Sequence, residues 1–250
     1  FRNEGMDFMH NPEFTMIEWY EAYTDYNGVM DTAEELYKYI AKSLNGSYSL
    51  EFQKRKINLN GKWPRVPMTE IIKKELKIDV EKMSEKELLK YVEDNNIEYR
   101  GRSVKGILIN AIFEKKVTEK LDGPIWIIDY PKEVSPLSKP HRSKEGFVER
   151  FECYISGQEI GDGWSEIIDP IEQRNRFESE QKAMRAGDDE AHPMDEDFIQ
   201  ALEYGMPFLG GIGIGIDRLV MFFTNSESIR DVILFPFMRP LEEEGEKDKK

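Results

Sequence analysis

The sequence predicts an α+β domain in which an antiparallel β-sheet is flanked by helices. Three observations point that way. Several strand-length segments alternate apolar and polar residues with a period of two. Two of them face each other across Ser156-Gly157, a dipeptide suited to a two-residue hairpin turn. The other strands are separated by hairpins and helices without the strand–helix–strand rhythm of a parallel sheet. With 250 residues, 39% of them hydrophobic, the chain can bury a sizeable core in one large domain or two small ones.

Residues 14–19 (FTMIEW) open the pattern as a strand. Alternation puts Phe14, Met16, Glu18 and Tyr20 on one face and Thr15, Ile17 and Trp19 on the other. From Val29 the period becomes helical, with Ala33, Leu36, Tyr37, Ile40 and Leu44 as the stripe that packs on the sheet. Residues 64–122 differ in texture and read as a helical insertion between two β-rich blocks. Within them Ser84 and Glu87 form a capping box, and Ser103 is expected to cap a longer helix carrying Val104, Ile107, Leu108, Ala111 and Ile112. Residues 125–129 (IWIID) make a buried strand ended by Pro131, and residues 147–155 and 158–166 form the hairpin. Asp169 caps and Pro170 opens a helix with Ile171, Phe177 and Met184 as its apolar stripe and Gly187 as its stop. Asp195 and Gly205 bracket another. Residues 210–218 (GGIGIGIDR) run from a Gly-rich strand into a last helix. The spacing of Gly211, Gly213 and Gly215 lacks the GxGxxG of a dinucleotide fold, so a Rossmann reading is rejected. Glycines there let a strand pass close to a flat ligand, or under a tightly packed helix. The domain is taken to span residues 1–240, with residues 241–250 (LEEEGEKDKK) as a disordered, charged tail.

The net charge of −14 argues against a large non-specific nucleic-acid surface, though local contacts leave RNA open as a substrate. No apolar run approaches the ~20 residues of a membrane span, and no secretory signal opens the chain. The single cysteine, Cys153, lies in an apolar strand and reads as a buried structural thiol. It excludes an internal disulfide or a cysteine-based zinc site and points to a reducing, cytoplasmic location.

Two carboxylates flank the hairpin turn. If the loop has two residues, Tyr154 opposes Glu159, and Glu152 lies diagonally on the same face, ~7–8 Å away at Cα. Like charges so placed are costly without a counter-charge, which Mg²⁺ bridging phosphates would supply. Spacing alone favours two solvent-facing strand carboxylates. Likewise, Arg2 and Arg218 taken singly read as surface or salt-bridged arginines.

Four blocks in order change that weighting. Residues 1–20 (FRNEGMDFMHNPEFTMIEWY) resemble motif 2 of class II aminoacyl-tRNA synthetases in the lysyl form. Residues 210–240 (GGIGIGIDRLVMFFTNSESIRDVILFPFMRP) resemble motif 3 of the same form. Between them, residues 135–152 (SPLSKPHRSKEGFVERFE) and 186–207 (AGDDEAHPMDEDFIQALEYGMP) are similar to lysyl-tRNA synthetases as well. Because Phe1 falls inside motif 2, the chain is expected to begin part-way into the class II catalytic domain. Motif 1 and an anticodon-reading OB-fold would then lie upstream, and the segment alone would be weakly active or inactive.

The resemblance implies site residues. Arg2 would hold the α-phosphate and the amino-acid carboxylate, a task suited to its planar fork. Arg218 would stack on adenine and reach the γ-phosphate, with Phe14 on the other adenine face. Glu4 and Asn11 match positions that read the adenine edge, and His10 sits in the loop near the phosphates. Glu152 and Glu159 match the family's Mg²⁺-binding pair. Glu18, Tyr20, Asp162, Trp164 and Glu166 match the lysine pocket, where carboxylates and a phenol favour a cation and penalise a neutral side chain. Many lysyl enzymes carry Asn and Phe or Tyr where this chain has Asp162 and Trp164. Strict alternation also puts Asp162, Trp164 and Glu166 on the opposite face from Glu159, so a bulge at Gly161 or Gly163 is expected. The resemblance implies a lysine–tRNA ligase using ATP, L-lysine, tRNA(Lys) and Mg²⁺, homodimeric at full length and not membrane-bound. The alternatives are a tRNA-independent paralogue that lysylates elongation factor P, an aspartyl or asparaginyl relative, or an inactive synthetase-like module.

Overall fold

The hairpin that anchors the sequence reading also anchors the fold. In the computed structural model, which describes residues 1–2, 5–185 and 193–238, Ser156 and Gly157 take φ of 51° and 77°. Two successive positive φ values make the tight turn whose twist matches antiparallel strands. Around it the chain runs β1 (Met16–Ala22), α1 (Tyr26–Asn45), β2 (Ser49–Phe52), β3 (Arg55–Asn58), β4 (Arg65–Pro67), α2 (Met68–Leu76), α3 (Glu85–Asp94) and α4 (Lys105–Lys116). It continues with β5 (Ile125–Pro131), β6 (Phe147–Ile155), β7 (Gln158–Ser165), α5 (Pro170–Arg185), α6 (Glu196–Glu203), β8 (Leu209–Gly215) and α7 (Ile216–Thr224).

Six strands form one sheet in the order β1-β8-β7-β6-β5-β4, and β2 pairs with β3 separately. The expected antiparallel sheet is present with one exception: edge strand β4 pairs parallel to β5. A parallel pair needs a long crossover, and α2 to α4 supply it.

One face of the sheet packs on α1. Phe151, Cys153, Ile155, Ile212 and Ile214 are buried there with Met30, Ala33 and Tyr37. Trp63 stacks between Tyr37, at 5.5 Å, and Trp126, at 5.6 Å. The helix starts earlier than its periodicity suggested, because the Asp25 side chain caps it by accepting from Asn27 N. Its buried face is Val29, Met30, Ala33, Tyr37 and Ala41, while Leu44 in the last turn is exposed. Burial pushes the Cys153 thiol well above its ordinary pKa, as suits an unreactive core residue.

The other face is divided. Over β5 and β6 it is covered by α2, α3 and α4. Ile72, Leu88, Leu108, Ile112 and Phe113 bury against Ile127, Tyr130, Val148 and Tyr154. The Ser84–Glu87 capping box starts α3 as expected. Ser103 does not cap α4: Val104 is the N-cap, and the Ser103 hydroxyl pairs with Tyr99 OH at 2.6 Å. At that helix start the Glu85 carboxylate accepts from Lys105 N at 3.2 Å instead.

Asp169 caps α5 through Ile171 N at 2.8 Å. Phe177 is buried but Ile171 is exposed, so the stripe is shorter than expected. The Met184 side chain, Gly187 and residues 241–250 lie outside the described residues. Asp195 caps α6, and Gly205 follows it with φ of 95°. Among the described residues no helix is long and apolar enough to cross a membrane.

Candidate active site

Over β1, β8 and β7 the divided face forms a cleft of about 290 Å³ that no helix fills among the described residues. Its floor is set by register. Glu18, Gly213, Asp162 and Glu152 form one row across β1, β8, β7 and β6, and Tyr20, Gly211, Trp164 and Arg150 form the next. The glycines keep that floor low. A Cβ on Gly213 would lie 3.0 Å from Met16 Cε and 3.6 Å from Glu18 Cγ, in the space between the walls.

The bulge is present, slightly displaced from the expected place. Tyr154 pairs with Glu159 and Cys153 with Gly161, so Ile160 is the extra residue, ahead of Gly161 rather than at it. One extra residue shifts the alternation by one step. Glu159, Asp162, Trp164 and Glu166 therefore all line the cleft. The expected first strand begins later, at Met16, so Phe14 reaches the cleft from the preceding loop.

At one end lie the cations. Arg218, in the first turn of α7, donates from Nη1 to the Glu159 carbonyl at 3.1 Å and lies 3.5 Å from the Glu159 carboxylate. Its Nη2 is 3.0 Å from His10 Nε2. Arginine only donates, so Nε2 accepts and the imidazole proton sits on Nδ1. From there it donates to Asp7, 2.9 Å away. Arg2 lies over the Phe14 ring at 5.4 Å from its centroid. Asn11 is buried, and its Nδ2 donates to the Glu13 carbonyl at 2.6 Å. Glu4 lies outside the described residues. The two motif segments are pinned together: Thr15 N donates to Asp217 Oδ2 at 2.6 Å, and Ile216 N donates to Thr15 O at 2.9 Å.

At the other end Glu18, Tyr20 and Glu166 converge. Burial raises the Glu166 carboxyl to about 7. Burial, together with the Glu166 and Glu18 charges, also raises the Tyr20 phenol. Glu159 and Asp162 are pushed upward as well, first by burial and next, for Glu159, by the Glu152 charge.

The two flanking carboxylates differ. Glu159 lines the cleft; Glu152 does not. Glu152 Oε1 accepts from Arg150 Nη2 at 2.7 Å and Oε2 from Tyr154 OH at 2.6 Å. Among the described residues no group of three or more His, Cys, Asp or Glu side chains is placed to hold a metal ion, and of this pair Glu159 alone offers a carboxylate to the cleft. Glu152 stands behind that position.

Three residues at the site went unnoticed in the sequence: Asp7, Arg150 and Asp217. Arg150 had a signal, since it shares a strand face with Glu152 two residues on. Asp7 and Asp217 act through loop and helix-start contacts between segments far apart in the chain, which no local pattern records.

A mostly antiparallel sheet thus carries arginines at one end and carboxylates at the other of a single cleft floored by glycines. The chain matches the family model described as tRNA synthetases class II (D, K and N) over residues 1–239 and belongs to that family. It is 47% identical to the lysine–tRNA ligase of Thermoanaerobacter pseudethanolicus over 241 residues, 96% of this chain and 48% of that protein. Against the lysine–tRNA ligase of Bacillus subtilis it is 46% identical over 240 residues, 96% of this chain and 48% of the relative. Against that of Saccharolobus solfataricus it is 47% identical over 239 residues, 95% and 48% respectively. The chain thus spans about half the length of the curated relatives it matches.

Proposed function

We propose that this chain carries the amino-acid activation site of a lysine–tRNA ligase. ATP and L-lysine bind side by side in the cleft, lysyl-adenylate forms, and the lysyl group passes to tRNA(Lys). The observation that supports this best is the split of one cleft into a cationic end, with Arg2 and Arg218, and an acidic end, with Glu18, Tyr20 and Glu166.

Each residue then has a task. Phe14, with Arg2 over its ring, and Arg218 offer flat surfaces for adenine, and Asn11 stiffens the loop that reads its edge; Glu4 belongs to that loop by resemblance. Arg2 and Arg218 stabilise charge on the phosphates. His10 holds Arg218 in place through a neutral imidazole. Glu18 and Glu166 receive the lysine ammonium beside the Tyr20 phenol, while Asp162 and Trp164 wall the pocket. Glu159, with Glu152 behind it, would hold Mg²⁺ together with the ATP phosphates, and the ion would supply charge neutralisation there. The lysine carboxylate attacks the α-phosphorus in line, and the bond to pyrophosphate breaks. The 3′-terminal ribose hydroxyl of tRNA then takes the acyl group as AMP leaves. No side-chain nucleophile is required; positioning and charge carry the rate.

The remaining features of this reading are a catalytic domain over residues 1–240 with a helical insertion at 64–122 and a tail at 241–250. They also include a homodimeric full-length enzyme and a cytoplasmic location. Amino-acid-dependent ATP–pyrophosphate exchange tests the core of it. Lysine should support exchange and aspartate, asparagine and norleucine should not. Exchange driven by aspartate or asparagine, or none with lysine in the full-length enzyme, would contradict the reading.

A further inference from the structure

Arg150 is the cation that the lysine pocket does not see. It sits on β6 beneath the acidic wall, and every contact it makes is to a group of defined geometry. Nε donates to Asp162 Oδ1 at 2.9 Å and Nη2 to Asp162 Oδ2 at 3.0 Å, a bidentate pair. Nη2 also donates to Glu152 Oε1 at 2.7 Å, and Nη1 to the Val134 carbonyl at 3.0 Å. The guanidinium lies 4.8 Å from the Tyr130 ring centroid. Its side chain does not line the cleft, yet Asp162 does.

We propose that Arg150 is a positioning residue that fixes Asp162 as a charge-compensated wall, leaving Glu18 and Glu166 to select the cationic side chain. This rests on the lysine-activation reading and deepens it. Both Asp162 oxygens are committed to one guanidinium, so the carboxylate presents to the cleft as a held acceptor rather than a free charge. Paired in this way, the Asp162 charge is largely offset by the Arg150 guanidinium and adds little to the attraction of a bound ammonium. An asparagine there would offer one acceptor and one N–H in place of two acceptors, and so could not take both guanidinium bonds. Glu166 has no such guanidinium partner among its described contacts.

The account separates three carboxylates lining one pocket, and substitutions read that separation. L-lysine binding by calorimetry, and lysine-dependent exchange resolved into KM and kcat, are measured in the full-length enzyme without substitution, with Asp162→Asn, Glu166→Gln or Arg150→Gln, and with the double substitution Arg150→Gln/Asp162→Asn. Asp162→Asn should weaken lysine binding several-fold, well short of Glu166→Gln, because Asn keeps one acceptor for Arg150 and loses the other. Glu166→Gln should weaken it about 100-fold, as for loss of one partner of a desolvated ion pair. Arg150→Gln should raise lysine KM about tenfold with a smaller change in kcat, because the released Asp162 loses its fixed geometry. Adding Asp162→Asn should restore most of that loss, a rescue that mere unfolding would not give. If Asp162→Asn is as damaging as Glu166→Gln, or the double variant is no better than Arg150→Gln, the proposal is overturned. Should Arg150→Gln fail to fold, the comparison of Asp162→Asn with Glu166→Gln still decides. Failure of the unsubstituted protein to bind lysine would instead remove the lysine-activation reading itself.

Discussion

Two halves of one sheet face have met opposite fates. Over β5 and β6 the face is apolar, and α2 to α4 bury it around Phe113, Tyr130 and Tyr154. Over β1, β8 and β7 the same face carries glycines in the central strand and carboxylates on its neighbours, and it stays open. Covering a face needs apolar area to offset the ordering of the covering helices, and on the β1–β8–β7 half that area is broken up by glycines and carboxylates. What remains is a concave surface where Glu166, unlike Asp162, has no guanidinium partner among its described contacts. The difference teaches that the site here is the part of the sheet that the sequence has made unfit for a core.

That contrast can be broken or sharpened by substitution. The largest effect should come from the covered half. Phe113 is fully buried, with edge contacts to Tyr154 at 5.7 Å and Tyr130 at 6.3 Å. Phe113→Ala should cost ~3–5 kcal/mol in urea unfolding, as for other buried aromatics, with the lysine KM of the remaining folded protein little changed. A matching loss of lysine affinity would show that the two halves are not independent.

On the open half the effects should fall on binding rather than folding. Glu166, with its carboxyl raised to about 7, must be ionised to attract an ammonium. Lysine affinity should therefore fall as pH drops through 7, by up to about tenfold per pH unit below it. The sign for stability is opposite. Between the unfolded carboxylate value and 7 the folded state holds the extra proton, so the contribution of Glu166 to stability declines as pH rises through that window. Glu166→Gln should flatten both profiles in calorimetric titrations from pH 5.5 to 8.5, a range chosen as roughly centred on that value. An unchanged lysine pH profile would place the titrating group elsewhere.

Gly213→Ala tests the floor. The added methyl meets the flexible end of Met16 rather than backbone, so the fold should tolerate it at about 1 kcal/mol. Filling the floor should raise the KM of ATP or lysine about tenfold. Gly163→Ala is the control from the opposite face. Its methyl would meet the Gly211 carbonyl and the Phe151 ring, both in packed structure, and it should damage folding first. The smallest effect is Ser84→Ala, which removes the capping box of α3 and should cost ~1 kcal/mol with kinetics unaltered.

Much of this was legible in the residues. The hairpin, the α3 cap and the row of glycines are local patterns, and they appear where the sequence put them. The bulge was inferred because Glu159 and Asp162 could not otherwise share a face, yet its position missed by a residue or more. Alternation demands an extra residue without saying which one. The parallel β4 edge was not visible, since three residues carry too little pattern and their pairing depends on a crossover across α2 to α4. Ser103 misled because its serine matched a cap while the backbone placed Val104 there. Arg150 was overlooked because its importance lies in a cross-strand pair with Asp162, and register is written only weakly in a single strand.

The most direct test is a crystal structure with L-lysine and a non-hydrolysable ATP analogue bound. The account predicts the lysine ammonium within about 3 Å of Glu166 and near Glu18 and Tyr20, with adenine between Phe14 and Arg218. Asp162 should remain paired to Arg150 throughout. Lysine bound with its ammonium turned to Asp162, or adenine outside the Phe14–Arg218 gap, would contradict it.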